Sequence, residues 1–412
     1  MKYLIDVKPI FGNWWSYGPL QYRDLRVFGF ASILSSIGLT AEQVVIGWYV
    51  LELTDSAFMV GLVLGIKMLS NTIFGIPSGI VADMVNRPKF IRSLRVATSI
   101  PILLLGILIL TGSAGVWHVL VLTVITGVFQ VFENTASSSF VYDVVGSEGA
   151  VQGLALLSML GRIGRVIGSI SVGFVIGSLG SGYALVGISA VFFIASLAMM
   201  SIRSRGQSAP LSTDSLGDTV NQFFKELVTN RTLIVMFSAT ALVEILGFSH
   251  KVLLPSLARD VLNVGAEGLG IMNGIGSLGG IIGILLLTIG GRYDKRKGIS
   301  YLITLLVFGC SLMVLSLASN FIFALVVLAV INAVMALSDL FSQGIMQLVV
   351  PNKLRGRAMG SWMLALGAGP IGTFQIGAIA SLSGVSVALA INGFGLVVLA
   401  SLFVLLPMIR RI

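Results

Sequence analysis

Charge is what this chain has least of. Only 10% of its 412 residues are Asp, Glu, Lys or Arg, against 56% hydrophobic; a soluble domain carries about 25% charged residues. So little charge cannot furnish a water-facing surface, so lipid must be the solvent over most of the chain. Cysteine is almost as scarce. Cys310 stands alone, which excludes an intramolecular disulfide and a thiolate metal cluster and leaves a small apolar filler. No glycine-rich loop runs into Lys-Ser/Thr, so nothing points to ATP hydrolysis. No His/Cys/Asp group has metal-ligand spacing, and no nucleophile–base pair stands out. Neither an enzyme nor a cofactor is expected. The N-terminal MKYLIDVKPIFGNWW has no apolar core ending in small residues and does not read as a signal peptide.

What is present is long apolar runs. Breaks fall near 54–56, 84–89, 111–116, 144–149, 178–182, 203–230, 260–267, 291–298, 318–320, 350–356 and 381–385. A spanning helix needs about 20 apolar residues, and backbone groups in lipid must be satisfied within the segment. The eleven breaks therefore predict twelve transmembrane helices. Glycine pairs four apart (61/65, 75/79, 164/168, 270/274, 279/283) suit close helix approach.

The basic residues sort to one set of helix ends: Lys2, Lys8, Arg23 and Arg26; Arg87, Lys89, Arg92 and Arg95; Arg203, Arg205, Lys225 and Arg231; Arg292, Lys295, Arg296 and Lys297; Lys353, Arg355 and Arg357; Arg410 and Arg411. The opposite loops hold Arg259 alone. By the positive-inside rule both termini are cytoplasmic, and the net charge of +9 is this asymmetry, not a nucleic-acid surface. The longest break, 203–230, then lies in the cytoplasm as a linker, with a possible amphipathic helix carrying Leu216, Val220, Phe223, Phe224 and Leu227 on one face. It separates an N-terminal six-helix bundle (1–202) from a C-terminal one (231–412).

The two bundles repeat. VGLVLG (60–65) lies over LGIMNG (269–274), matching Gly61 to Gly270 and Gly65 to Gly274. GSISVGFVIGSLG (168–180) lies over GTFQIGAIASLSG (372–384), matching Gly168, Gly173 and Gly180 to Gly372, Gly377 and Gly384. Two parallel six-span repeats are a transporter architecture with substrate near the midplane.

At this point the chain resembles the major facilitator superfamily. GIVADMVNRPK (79–89) is similar to that superfamily's signature between helices 2 and 3, through Gly79, Asp83, Arg87 and Lys89. Met84 stands where the first base belongs, and Asn86 replaces a glycine, the next best residue for a left-handed turn. VLELTDSAFMVGLV (50–63), LARDVLNVGAEGLGIM (257–272) and VVPNKLRGRAMGSWMLALGAGPIG (349–372) resemble the branch containing enterobactin exporters, macrolide efflux proteins and lysophospholipid transporters. Relatives there carry Pro-Ala-Arg where this chain has Thr135, Ala136 and Ser137. The resemblance implies that Asp83 meets the N-terminus of helix 11, near Lys353–Gly356, when the cytoplasmic side is shut. A carboxylate is favoured at a helix N-terminus by about 0.3–1 kcal/mol. The structural alternative is a topogenic loop with a helix-terminal Asp.

Charges at membrane depth are the other informative set, because each costs roughly 2.5–3.5 kcal/mol at a helix centre and should face a cavity or a partner. Counted from the breaks they are Glu42, Lys67, Glu133, Arg162, Arg165, Glu244, His250, Lys251 and Asp339. Acids fall on spans 1, 4, 7 and 10, which line the cavity in the superfamily fold. Asn134 superposes on Asp339 under the repeat. Glu42 lies about 24 Å along span 1 and Lys67 about 15 Å down span 2, a shared depth at which they could pair, for proton coupling or as inter-helix glue. Arg165 reads as a cavity residue or a brace. Arg162, closer to the cytoplasm, could instead snorkel, and His250 and Lys251 could approach the outer mouth. Polar neighbours Gln130, Gln343, Gln347 and Gln375 could orient a ligand or satisfy one another. The expected function is proton-coupled efflux of amphipathic drugs or siderophores by a monomeric antiporter of the prokaryotic cytoplasmic membrane. Its partners would be a small-molecule or lipid substrate, protons and membrane lipids, with no nucleic acid. The alternative substrate is a lysophospholipid entering laterally; a non-transporting sensor or scaffold is the remote third reading.

Overall fold

The computed structural model describes residues 18–204, 230–289, 297–350 and 355–405. Among them, twelve helices are long and apolar enough to cross a bilayer. They are α1 (Arg23–Thr54), α2 (Ala57–Met84), α3 (Arg87–Leu110), α4 (Val116–Gly146), α5 (Gln152–Leu179), α6 (Ser181–Ser201), α7 (Arg231–Val261), α8 (Gly265–Ile289), α9 (Lys297–Ser316), α10 (Phe321–Leu348), α11 (Met359–Ser383) and α12 (Val385–Val404). Most of the linker, 205–229, with its expected amphipathic face, lies outside the described residues.

Local chemistry sets the boundaries. Ser56 caps α2 by accepting the Met59 N–H, Asn230 caps α7 through Thr232 and Leu233, and Asn320 caps α10 through Ile322 and Phe323. Asn86 corrects an expectation. It is not in a left-handed turn but extended (φ −69°, ψ 100°), and its side chain accepts the Lys89 N–H. The loop is so short that α3 starts at Arg87, and a helix start needs an acceptor rather than a reversal.

The first six spans pack mainly among themselves, α1 on α5 and α6, α2 on α4, and α3 on α4 and α6. In the last six, α8 packs on α10, α9 on α10 and α12, and α7 on α11. The repeat is written into the backbone. Gly180, ending α5, has φ 89° and ψ 169°; Gly384, ending α11, has φ 89° and ψ 161°. Only glycine adopts that conformation readily, and the two positions match in the sequence repeat.

Two helices are discontinuous. In α7 the regular helix stops at Leu246, and a 3-10 segment (Phe248–Leu253), a short α segment (Leu254–Ser256) and a π turn (Leu257–Val261) carry the chain on. In α11 it stops at Leu366 and restarts at Gly369 with Pro370 in its first turn, where a missing N–H costs nothing. Large apolar side chains such as Leu286, Ile322 and Phe394 are exposed, as a lipid-facing surface requires.

Candidate substrate cavity and gates

Glu42, in the middle of α1, is completely buried. Four residues along, α4 presents Thr126 and Gln130 on one face: the Thr126 hydroxyl donates to Oε1 and the Gln130 amide to Oε2, both at 2.7 Å. Lys67 Nζ of α2 lies 2.9 Å from Oε2. Lys67 itself reaches a cavity of about 220 Å³, lined also by Gln43, Asn71, Gln130, Asn134 and Arg165.

A second cavity of about 320 Å³ adjoins it between the first and last six spans, sharing Thr40, Gln43, Leu64 and Arg165. α5 contributes Arg162 and Arg165, α7 contributes Phe248 and Lys251, and α10 contributes Asn332 and Asp339. Arg162 therefore does not snorkel outward. Three residues before Arg165, it shares that residue's helix face and lies over Gly280 of α8, where no side chain blocks it. Lys251 does not approach the outer mouth either. The irregular stretch of α7 turns it into the cavity, with Nζ 5.5 Å from the centre of the Phe248 ring. Its neighbour His250 points the other way, fully buried, with Nδ1 2.6 Å from the Gly247 carbonyl and its ring edge-on to Phe308. Glu244, seven residues before Lys251, is buried beside Gly369 at the break in α11. It lies within electrostatic reach of Asp339 and Lys251.

The seam between the two sets of spans is shut at one end. Gly61 of α2 packs on Gly377 of α11, and Gly173 of α5 packs on Gly270 of α8. These four positions are two pairs of repeat equivalents, so the two contacts are related by the same internal symmetry. Gly47 of α1 rests on Pro255 of α7, and Arg259 reaches across to Asp55 (2.8 Å) and to the Leu51 carbonyl (3.0 Å). Further along α2, Met68 still touches the Gly369 region and Thr72 the Gly367 region, but beside Gly75 and Gly79 there is open space among the described residues. The seam thus parts toward the end that carries Asp83.

At that open end Asp83 is half exposed and pairs with Arg87 at 2.9 Å. Arg87 is buried; its Nη1 lies 2.6 Å from Asp143 of α4, and its Nε donates to the Ala82 carbonyl at 3.1 Å. Lys89 is exposed. Of the expected partner of Asp83, near Lys353–Gly356, residues 353 and 354 and the side chains of 355 and 356 lie outside what the structure describes.

The same architecture runs through a large group of proteins. The chain matches the transmembrane secretion effector family over residues 15–411. It belongs to that family of the major facilitator superfamily. A staphyloferrin A transporter of Staphylococcus aureus (strain NCTC 8325 / PS 47) is 22% identical over 384 residues, covering 92% of this chain and 95% of its own. Among solved structures, a mutant of the nucleoside transporter NupG superposes with a TM-score of 0.80 at 15% identity, over 93% of this chain and 99% of that one. A bacterial homologue of the human lysosomal transporter Spinster, inward-facing and unoccupied, gives 0.71 at 15% identity, over 94% and 95%. These likenesses fix the fold. As a member of this family the chain is a multi-pass membrane transporter.

Against that frame of twelve spans, Glu133 is not a cavity residue. It lies buried in α4 with Oε1 2.8 Å from Arg95 Nε and 3.2 Å from the Ser35 hydroxyl. Arg95, grouped by sequence with the loop charges, is 1% exposed. It also donates to the Ala195 carbonyl and sits 5.9 Å from the Phe28 ring. Its position eight residues into α3, roughly 12 Å deep, was the signal available. Asn134, next to Glu133 on α4, does line the smaller cavity, and Asp339 the larger. The Gln375 amide donates to Asn392 Oδ1 at 3.0 Å, the Asn392 amide donates to the Ser249 hydroxyl at 3.1 Å, and Gln347 contacts Met359. Thr135, a departure from the branch pattern, binds Ser78 of α2 at 2.8 Å.

Proposed function

We propose that this chain is a proton-coupled exporter of amphipathic small molecules, of the drug or siderophore kind, working by alternating access in the cytoplasmic membrane of a prokaryote. The observation that carries the reading is the polar cavity between the two sets of six spans, sealed by glycine contacts at the Asp55 end and parted toward the Asp83 end. The excess of Lys and Arg at the Asp83 end marks it as cytoplasmic, so the cavity stands ready to load from inside the cell. Discontinuous helices are where transporters of this architecture hold substrate; here α7 is broken at the cavity and α11 is broken beside Met68 and Glu244. The staphyloferrin A transporter relative supports a siderophore-like substrate.

In this mechanism Asp83, Arg87 and the start of α11 close the cytoplasmic side while Arg259 and Asp55 release the outer one. Glu42 is the coupling acid. Lys67 pairs with its carboxylate at 2.9 Å, and a proton delivered to Glu42 would remove that partner and free Lys67 toward the cavity. The test is uptake into inverted vesicles of a panel of dyes, macrolides, siderophores and lysolipids, with and without an imposed proton gradient. Uphill accumulation of at least one compound that collapses with the gradient is expected. Accumulation indifferent to the gradient would sink the proton-coupled reading.

A further inference from the structure

The chain neutralises most of its deep charges within itself. Lys67 has Glu42, Arg95 has Glu133, and Arg87 has Asp83 and Asp143. Arg162, Arg165 and Lys251 differ. Among the described residues none of the three has a carboxylate at salt-bridge distance, yet all three face one cavity whose lining holds one carboxylate, Asp339, with Glu244 buried behind it in reach of Lys251. They sense one another: the field of both arginines reaches Lys251, and that of Arg162 reaches Arg165. Like charges gathered at membrane depth are costly. A bracing role would have paired them, as it pairs Arg95.

The geometry suits a ligand. Arg162 and Arg165 stand on one face of α5, and Lys251 comes from α7 across the seam. Guanidinium forks match carboxylate and phosphate oxygens two at a time, and an ammonium adds a point charge. Leu64, Met272 and Met335 supply an apolar wall to the same space. The two adjoining cavities, about 220 and 320 Å³, together fall in the range of small-molecule sites.

We propose that the transported substrate is an amphipathic organic anion, its carboxylate or phosphate oxygens held between Arg162 and Arg165 on one side and Lys251 on the other. This rests on the transporter reading and names the substrate class of the same cavity. The anion's source is either a soluble polycarboxylate or an anionic lipid headgroup.

Thermal melting of the full-length protein in neutral detergent tests it, because a ligand of the folded state raises the melting temperature according to its affinity. The probes are citrate, its uncharged trimethyl ester, lysophosphatidylglycerol and the cation tetraphenylphosphonium. Citrate or lysophosphatidylglycerol should stabilise the protein and the ester and the cation should not; citrate points to the soluble source and lysophosphatidylglycerol to the lipid. Arg165→Gln and Lys251→Gln should each weaken the anion by about tenfold or more. Asp339→Asn removes the lining carboxylate without touching the three cations, and should tighten the anion several-fold even where an arginine variant fails to fold. Equal stabilisation by ester and acid, a preference for tetraphenylphosphonium, or weaker anion binding in Asp339→Asn overturns the proposal. Stabilisation by none of the four probes overturns it too. Binding is read without transport, so the two readings fail separately. Vesicles that accumulate a neutral or cationic compound while no anion binds remove the substrate class alone. Anion binding without uphill accumulation removes the exporter reading alone.

Discussion

Gly61 and Gly377 meet backbone to backbone across the seam, and a Cβ placed on Gly61 would come 2.5 Å from the Thr373 carbonyl oxygen. That oxygen belongs to the main chain of α11 and cannot rotate away. Gly61→Val should therefore wedge the sealed end apart. Thr40 lies behind this seal, lining both cavities. In a Cys310→Ser background, a Thr40→Cys reporter should react several-fold faster with an impermeant maleimide applied at the sealed end once Gly61→Val is added. Gly79→Val, with open space around it, is the control and should leave the rate unchanged. Equal rates in both variants would mean the seal does not depend on the glycine contact.

Asp83→Asn should reduce transport while insertion and topology stay intact, since topology follows Lys and Arg rather than Asp. Because Asp83 is half exposed where it meets Arg87, losing this pair should shift stability by about 1 kcal/mol or less. Labels on the two sides of the open end should report a larger open population. Unchanged distances together with unchanged transport would leave Asp83 a bystander.

Arg95 and Glu133 call for the opposite outcome. Removing one partner of a buried pair leaves the other charge uncompensated and costs about 3–5 kcal/mol. Arg95→Gln and Glu133→Gln should each lower Tm markedly, whereas the double change Arg95→Met with Glu133→Leu should restore most of it. The double variant should also retain transport, since neither side chain lines the cavity. Loss of transport in a stable double variant would place Glu133 in the coupling machinery after all.

Glu42→Gln should abolish uphill, proton-driven export but permit downhill exchange. Its amide can still accept from Thr126, so the fold is expected to hold. Lys67 then loses its counter-charge and faces the cavity alone, as Arg165 does. Uphill export surviving in Glu42→Gln would exclude it as the coupling acid and turn attention to Asp339.

The spans were legible because the bilayer enforces a length and forbids open backbone, so every break at Asp55–Ser56, Asn86 or Gly180 had to show as a polar or glycine interruption. The pairing of Glu42 with Lys67 was within reach for a related reason: residue count along a helix is depth, and two opposite charges shared one. Arg95 escaped because a count of Lys and Arg near helix ends does not separate a loop charge from one two turns inside. Arg162 and Lys251 escaped because a helix's rotation about its own axis is set by packing. For Lys251 it also depends on where α7 abandons regular geometry, which no local propensity announces. The start of α3 shows the reverse failure, where family pattern suggested a left-handed turn at Asn86 and helix-capping chemistry decided otherwise.

The distribution of ion pairs also gives the molecule a mechanical character. Among the described residues, every ion pair joining one helix to another has at least one end in or beside the first six spans: Glu42–Lys67, Asp83–Arg87, Arg87–Asp143, Arg95–Glu133 and Asp55–Arg259. The last six spans instead contain α7, whose helical hydrogen bonding is interrupted at the cavity, and α11, interrupted beside Glu244. Stiffness and compliance are thus allotted to different parts of one chain. The first set resembles an anvil, cross-braced so that α1 to α4 turn as one piece. The second resembles a spring leaf with two built-in flexures. A load applied in the cavity by an arriving solute would be absorbed chiefly by bending at Gly247 and Gly367, so the stroke that opens the far side would be lopsided despite the near twofold symmetry of the parts.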